Sequence, residues 1–224
     1  MKAILLDIEG TTTDKRFVTE TLFPYARERI GSFVIANEDD AAVSRAINLV
    51  RGAMADPTAP VEAVARELEL WIDADRKEEP LKMLQGMIWE EGYRDGTLRS
   101  HVYADVPEAL ARWKAAGLRL AIFSSGSIAA QKLLFAHTEA GDLTRSLDAY
   151  FDLTTGSKRE AASYEAIAGA LGLPPEEIRF YTDVPAELEA AREAGLEAVL
   201  VERDGPIDVP GTWRQIGNFT GERP

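Results

Sequence analysis

The feature that most constrains the fold is a series of short, largely apolar runs that end in polar residues. They are Ala3–Leu6, Leu118–Phe123, Ile178–Tyr181 and Glu197–Val201. Runs of this length predict strands that are buried on both faces of a sheet. Helical patterns lie between them at 107–116, 160–171 and 185–194; each ends at a glycine, and Asp105 is expected to cap the first. Strands that alternate with helices predict a doubly wound α/β domain with a parallel sheet.

The segment from residue 15 to residue 100 does not share this alternation. Val61, Val64, Ala65 and Leu68 follow the i, i+3, i+4, i+7 spacing of an amphipathic helix. Similar apolar stripes occur within 22–33, 40–54 and 81–88. We therefore expect a helical domain over 15–100, inserted into a core made of 1–14 and 101–224. A chain of 224 residues suits one core plus an appendage, since a domain averages roughly 150 residues. The Gly- and Pro-containing segment after Pro206 either closes the core or trails from it.

Composition excludes several kinds of function. The chain has no cysteine and two histidines, which excludes thiolate metal sites and disulfides and disfavours a histidine cluster. Lys and Arg number 25 and Asp and Glu 38, so the net charge is −13. This balance disfavours nucleic acid and anionic membranes as partners. Without a signal peptide or a long apolar run, we expect a cytoplasmic protein, and without a sustained heptad pattern a monomer.

Acidic residues follow two of the predicted strands. Asp7 and Glu9 come after the first strand, and Asp183 follows the third. Because the carboxyl ends of parallel strands share one edge of the sheet, we expect these carboxylates to meet there. Grouped like charges repel unless a cation lies among them, and ligands that are all oxygen favour Mg²⁺. A plainer interpretation of Asp183 is a helix N-cap before Pro185.

Small hydroxyl residues follow another predicted strand, and a lysine lies in a later loop. Ser124 and Ser125 begin a Ser-Ser-Gly-Ser turn at a predicted strand-to-helix junction, which is typical of an anion site. Ser127 is the expected cap of the helix that follows. Lys158 lies in a Gly/Ser loop and could bring a cation to the same edge, although a loop lysine is more often solvated. These parts together indicate phosphoryl transfer with an aspartate nucleophile.

The order of these segments resembles the four motifs of the haloacid dehalogenase superfamily and, more narrowly, the enolase-phosphatase family of methionine salvage. The superfamily motifs are Asp7-Ile8-Glu9-Gly10-Thr11, Ser124-Ser125-Gly126-Ser127, Lys158 and Thr182-Asp183. The narrower resemblance includes Leu22–Ala26, Leu84–Trp89, Ser100–Val106 and Ala130–Phe135. The chain departs from the family where Asp14-Lys15-Arg16 adds charge after the first motif.

The resemblance implies a Rossmann-like core with a helical cap and one Mg²⁺ per subunit. It implies that the enzyme enolises 2,3-diketo-5-methylthiopentyl-1-phosphate and then removes the phosphate, which yields the acireductone 1,2-dihydroxy-3-keto-5-methylthiopentene. Asp7 would form an aspartyl-phosphate, while Glu9 would act as acid and base and contribute to the metal site. Asp183 would bind Mg²⁺, and Ser124–Ser125 and Lys158 would bind the phosphate.

Two other functions remain open at this point. One is a Mg²⁺-dependent phosphatase of the same superfamily that acts on another small phosphate ester, because residues of the cap rather than the motifs set the substrate. The other is a binding protein that keeps the fold without catalysis, which the complete set of motif residues disfavours. Haloacid dehalogenation is less favoured, because those enzymes work without a metal and Asp183 would have little to do.

Overall fold

A computed structural model describes residues 1–209 and 211–223 of the chain. The chain divides into two compact units. The first comprises Met1–Lys15 and the chain from Ser100 onward, and the second comprises Arg16–Arg99. No helix in the described part of the chain has both the length and the apolar character needed to cross a membrane.

The first unit is built on a parallel sheet. Its strands are β1 (Ala3–Leu6), β2 (Arg119–Phe123), β3 (Ala149–Phe151), β4 (Ile178–Thr182), β5 (Glu197–Val201) and β6 (Arg214–Ile216). Among the described residues these strands lie in the order β3-β2-β1-β4-β5-β6, and all neighbours are parallel. This is the Rossmann strand order, so the predicted doubly wound α/β fold is confirmed. The sequence did not predict β3 and β6, which have three residues each.

Helices cover both faces of the sheet. They are α5 (Val106–Ala115), α6 (Ile128–Ala136), α7 (Ala161–Leu171) and α8 (Pro185–Glu193), with 3₁₀ turns at Thr144–Ser146 and Pro175–Glu177. Side chains of α7 and α8, such as Ile167 and Ala191, share one core cluster with Leu5 of β1. On the opposite face, Trp113 of α5 stacks on Tyr181 of β4, with ring centroids 5.8 Å apart. Ser127 caps α6 as predicted, because its hydroxyl accepts from the Ala130 N–H.

The C-terminal segment closes the core. Strand β6 pairs with β5 at one edge of the sheet. Beyond it, Phe219 is fully buried, and its ring lies 5.2 Å from the rings of Trp113 and Tyr181. The alternative in which this segment trails from the domain is therefore wrong for these residues.

The second unit is helical and has a core of its own. A π-helical turn at Phe17–Leu22 precedes α1 (Phe23–Ala36), α2 (Ala41–Ala53), α3 (Val61–Asp73) and α4 (Glu79–Asp95). The Asp40 carboxylate caps α2 by accepting from the N–H groups of Ala42 and Val43. Ile30, Val50 and Leu68 belong to one buried cluster that joins these helices. The predicted helical insertion after the first strand is thus present.

The strand order determines where a ligand can bind in the first unit. The chain leaves β1 for β2 on one side, and it later adds β4 on the other side of β1. Such a reversal opens a crevice at the carboxyl ends of the central strands. Leu6 pairs with both Ile122 and Tyr181, so the ends of β1, β2 and β4 lie level.

Candidate active site

Asp7 lies at the centre of the crevice, immediately after β1. Its side chain is buried, with 5% of the residue surface exposed. Asp7 Oδ1 accepts from the Ile8 N–H at 2.7 Å and from Lys158 Nζ at 2.6 Å. The Thr182 hydroxyl oxygen lies 3.2 Å from Asp7 Oδ2. A buried carboxylate held at fixed angles and paired with a cation suits a nucleophile, because little reorganisation is needed before attack.

The chain turns sharply after Asp7. The Ile8 carbonyl accepts from the N–H groups of Thr11, Thr12 and Thr13, which closes the turn. Gly10 within it has a φ of +74°, in the left-handed region that favours glycine. A Cβ at this position would overlap the carboxylate of Asp183 and the side chain of Lys15. The turn therefore needs glycine for its conformation and for the close approach of these two side chains.

Lys158 is buried and bridges two carboxylates. Its ammonium lies 2.6 Å from Asp7 Oδ1 and 2.8 Å from Glu187 Oε2. Burial acts to lower the pKa of Lys158, but the charges of Asp7 and Glu187 outweigh it and hold that pKa above its ordinary value. The Tyr164 hydroxyl donates to the Lys158 carbonyl at 2.7 Å, which fixes the loop. The interpretation of Lys158 as a solvated loop lysine is therefore wrong.

Glu187 belongs to this cluster, and the sequence did not single it out. Its carboxylate accepts from the Thr182 hydroxyl at 2.8 Å and pairs with Lys158. Burial, with the nearby charge of Asp7, raises the pKa of Glu187 to about 7. A glutamate four residues after Asp183, on the first turn of α8, reaches the same strand end as that aspartate. The spacing between Asp183 and Glu187 is therefore the feature of the sequence that could have identified Glu187.

Asp183 follows β4 and faces Gly10. Its side chain is 4% exposed, and Lys15 forms an ion pair with its Oδ2. Burial, together with the charge of Asp7, raises the pKa of Asp183 despite this pairing. Asp183 Oδ1 is buried without a hydrogen-bond partner among the described atoms. Asp183 is not a helix cap: Val184 occupies the N-cap position of α8, and the Val184 N–H donates to Thr182 Oγ1.

The remaining predicted residues differ in exposure. Ser124 is buried, its N–H donates to the Phe151 carbonyl, and its hydroxyl accepts from the Gly126 N–H at 3.2 Å. Ser125 and Glu9 are exposed. Across residues 1–209 and 211–223, no group of three acidic, histidine or cysteine side chains is close enough to hold a metal ion. The structure therefore does not gather Glu9 with Asp7 and Asp183, as the sequence had led us to expect.

The site nevertheless fits a Mg²⁺ ion. The nearby charge of Asp7 raises the pKa of Asp183, and the Lys15 ammonium already neutralises Asp183. The buried Asp183 Oδ1 has an acceptor site to spare. Mg²⁺ commonly keeps several waters and takes one or two carboxylates plus a substrate phosphate, so two carboxylates are sufficient.

The fold and this cluster define a class of hydrolase. Residues 1–195 match the family model of the haloacid dehalogenase-like hydrolases. The chain belongs to this family. Its curated relatives are named more narrowly: enolase-phosphatase E1 of Pseudomonas fluorescens is 50% identical over 100% of this chain and 98% of the relative. Enolase-phosphatase E1 of Methylococcus capsulatus is 51% identical over 92% of this chain and 90% of the relative.

Solved structures agree with the family. The UTR4 protein of Saccharomyces cerevisiae has a TM-score of 0.83 and 33% identity, over 97% of this chain and 98% of the other. A phosphatase of the same family from Thermococcus onnurineus has a TM-score of 0.62 at 20% identity, over 98% and 95% of the two chains. At that identity the second likeness concerns the fold alone.

Proposed function

We propose that this protein is the enolase-phosphatase of methionine salvage. It enolises 2,3-diketo-5-methylthiopentyl-1-phosphate and then hydrolyses the phosphate to give the acireductone 1,2-dihydroxy-3-keto-5-methylthiopentene. Relatives named enolase-phosphatase E1, about half identical to this chain over most of its length, support the substrate. The observation that carries the phosphatase chemistry is the buried Asp7 carboxylate, paired with Lys158 at the topological switch point.

In this proposal Asp7 is the nucleophile. Its carboxylate attacks phosphorus, the bond from phosphorus to the substrate oxygen breaks, and an aspartyl-phosphate forms. Lys158 orients Asp7 before attack and then faces the charge on the transferring phosphoryl group. Glu187 holds Lys158 from its other side, so that the ammonium stays beside Asp7.

Glu9 supplies and removes protons. Its exposed carboxyl, two residues after Asp7 on the same turn, protonates the leaving oxygen and then accepts a proton from the water that hydrolyses the aspartyl-phosphate. A glutamate reaches roughly 1.5 Å further than an aspartate would, which suits a site that also handles proton transfer on a diketone.

Ser124, Ser125 and Mg²⁺ complete the site. The Ser124 hydroxyl can donate to a phosphate oxygen, and Ser125 stands exposed beside it on the turn after β2. Mg²⁺, held by Asp7 and Asp183, would neutralise phosphate charge when bound. The helical unit serves as the cap that selects the substrate. The monomeric state and the cytoplasmic location stay predictions from the sequence.

A direct assay distinguishes this function from a phosphatase of another small ester. The purified protein with Mg²⁺ is given the diketone phosphate, and the ultraviolet absorbance of the enediol is followed beside phosphate release. We expect both signals, both abolished by chelation of the metal. Hydrolysis of a generic chromogenic phosphate ester with no enediol from the diketone phosphate would instead support the other phosphatase, and no hydrolysis of either would support a binding protein.

A further inference from the structure

We propose that Arg203 is a positioning residue that holds the catalytic turn Ile8–Thr13. Arg203 lies just after β5, at the carboxyl edge of the sheet, and its side chain is 5% exposed. Its Nε donates to the Thr11 carbonyl at 2.9 Å. Thr11 lies between Glu9 and the end of the turn, so this bond restrains the turn that carries Glu9 and begins directly after Asp7. The inference rests on the roles proposed above for Asp7 and Glu9.

The guanidinium is itself held rigidly. Arg203 Nη1 donates to both oxygens of Asp105, at 2.8 and 2.9 Å. The rings of Tyr103 and Phe219 lie 4.3 and 4.7 Å from its central carbon. Arg203 uses two nitrogens, Nη1 for Asp105 and Nε for Thr11, and its plane packs on aromatic rings. Lysine has one nitrogen and no such plane. A carbonyl bound to so fixed a donor has little freedom to move.

Asp105 binds Arg203 rather than the first turn of its own helix. Asp105 occupies the N-cap position of α5 as the sequence predicted, but its side chain makes no capping bond in the structure. Instead it accepts from Arg203 and from the Phe219 N–H at 2.6 Å. This correction to the sequence prediction means that Asp105 joins the C-terminal segment to the catalytic turn through Arg203.

Other contacts restrain the same turn. The Tyr103 N–H donates to the Thr12 carbonyl at 3.0 Å, and the Thr13 hydroxyl donates to the His101 carbonyl at 3.0 Å. The Thr12 hydroxyl donates to the Asp7 carbonyl at 3.1 Å. To these contacts Arg203 adds a charged side chain from the loop after β5. Loss of its bond to Thr11 should therefore loosen the turn without unfolding the sheet.

A matched pair of variants tests the proposal: Arg203→Lys and Arg112→Lys. Arg112 also binds the C-terminal segment, through the carbonyls of Phe219 and Glu222 at 2.7 and 3.1 Å. It is not one of the residues described above as contacting the turn. Lysine at 203 keeps the charge but has no second nitrogen at the fixed spacing of Nε and Nη1, so it should not hold Asp105 and Thr11 in the same geometry. For Arg203→Lys we expect amide hydrogen exchange over residues 8–13 to rise at least about fivefold. We also expect kcat for the diketone phosphate to fall on the order of tenfold to a hundredfold, while KM changes by less than about twofold.

Arg112→Lys should lower the melting temperature about as much as Arg203→Lys does. It should leave kcat and the amide hydrogen exchange of residues 8–13 at the wild-type level. The proposal is overturned if Arg203→Lys exchanges and turns over like the wild type, or if both variants lose kcat in proportion to stability. If Arg203→Lys does not fold, the variant Asp105→Asn, which loosens the guanidinium, takes the place of Arg203→Lys in the same comparison. If the wild type does not turn over the diketone phosphate, the proposed function fails, and the exchange measurement alone decides whether Arg203 holds the turn.

Discussion

At the scale of single residues, the cluster around Asp7 is a balance of charges in a buried space. Asp7, Asp183 and Glu187 bring negative charge, and Lys158 and Lys15 offset it. Lys158 is buried between two carboxylates, whereas the Lys15 side chain is 53% exposed and can leave its partner. The two lysines therefore have different consequences for the binding of a cation.

Lys15 competes with a metal ion for Asp183. Since Lys15 already pairs with the carboxylate that we propose as a Mg²⁺ ligand, Lys15→Met should tighten Mg²⁺ binding by about two- to fivefold, the range expected for one partly exposed ion pair. Titration calorimetry measures the dissociation constant. Lys2→Met is the control, because it removes the same charge from a surface pair with Glu177. Equal affinities of Lys15→Met and wild type would contradict this role.

Glu187 makes stability depend on pH. Because its folded pKa of about 7 exceeds its ordinary value of 4.5, the folded state binds a proton more tightly than the unfolded chain does. This contribution to stability is full below about pH 4.5 and is lost as the pH rises towards 7, on the order of 1–3 kcal/mol. Asp183, whose pKa is also raised, adds a dependence of the same sign.

Urea unfolding of metal-free protein between pH 5 and 8 measures how the free energy of unfolding depends on pH. We expect Glu187→Gln to flatten the decline in the free energy of unfolding, leaving only the share of Asp183. The exposed Glu189 of the same helix provides the control Glu189→Gln, which should decline like the wild type. An unchanged slope in Glu187→Gln would show that Glu187 does not take up a proton in this range.

At the scale of structural elements, the turn after β1 depends on Gly10. Alanine there costs about 1 kcal/mol for its positive φ, and its Cβ would also displace the carboxylate of Asp183. We expect Gly10→Ala to lower kcat at least about a hundredfold and to weaken Mg²⁺ binding. Gly117 has a φ of +79° with open space where a Cβ would lie, so Gly117→Ala bears the same strain without the overlap.

Activity and chemical denaturation of these two glycine variants separate strain from overlap. Gly117→Ala should lose about 1 kcal/mol of unfolding free energy and keep wild-type kcat. If Gly10→Ala also kept wild-type kcat, the close approach of the turn to Asp183 would have no part in catalysis.

The elements that the sequence predicted are those with strong local signals. The helices over 107–116, 160–171 and 185–194 begin and end within about a residue of their predicted bounds, because glycine and proline mark their ends. Strands β3 and β6 are short, have partly exposed residues, and gain their definition by pairing with β2 and β5. Such pairing is a tertiary effect that no local pattern shows.

The sequence likewise predicted some residues of the candidate site and missed others. Asp7, Ser124 and Asp183 follow strands, and the topology brings them to one edge. Glu187 lies in a helix whose composition suggests a plain amphipathic segment, and Arg203 lies in a charged loop. Their importance arises from contacts with residues more than 20 positions away, such as Lys158 and Thr11, which only the folded structure brings close.

At the scale of the whole molecule, the α/β unit carries the cluster that we assign to chemistry, and the helical unit has a separate buried core. The net charge of −13 does not prevent an anionic substrate from binding, because surface charge is screened beyond about 8 Å at physiological salt. The local cations, Lys158 and Lys15, therefore allow the crevice to accept an anionic substrate.

The central claim is that Asp7 is the nucleophile of an enolase-phosphatase, and one measurement tests it most directly. Enediol absorbance and phosphate release from the diketone phosphate are followed together, with Mg²⁺, for wild type and Asp7→Asn. The account predicts equal amounts of enediol and phosphate from the wild type and no phosphate from Asp7→Asn. Phosphate release by Asp7→Asn at the wild-type rate, or release by the wild type without enediol, would contradict it.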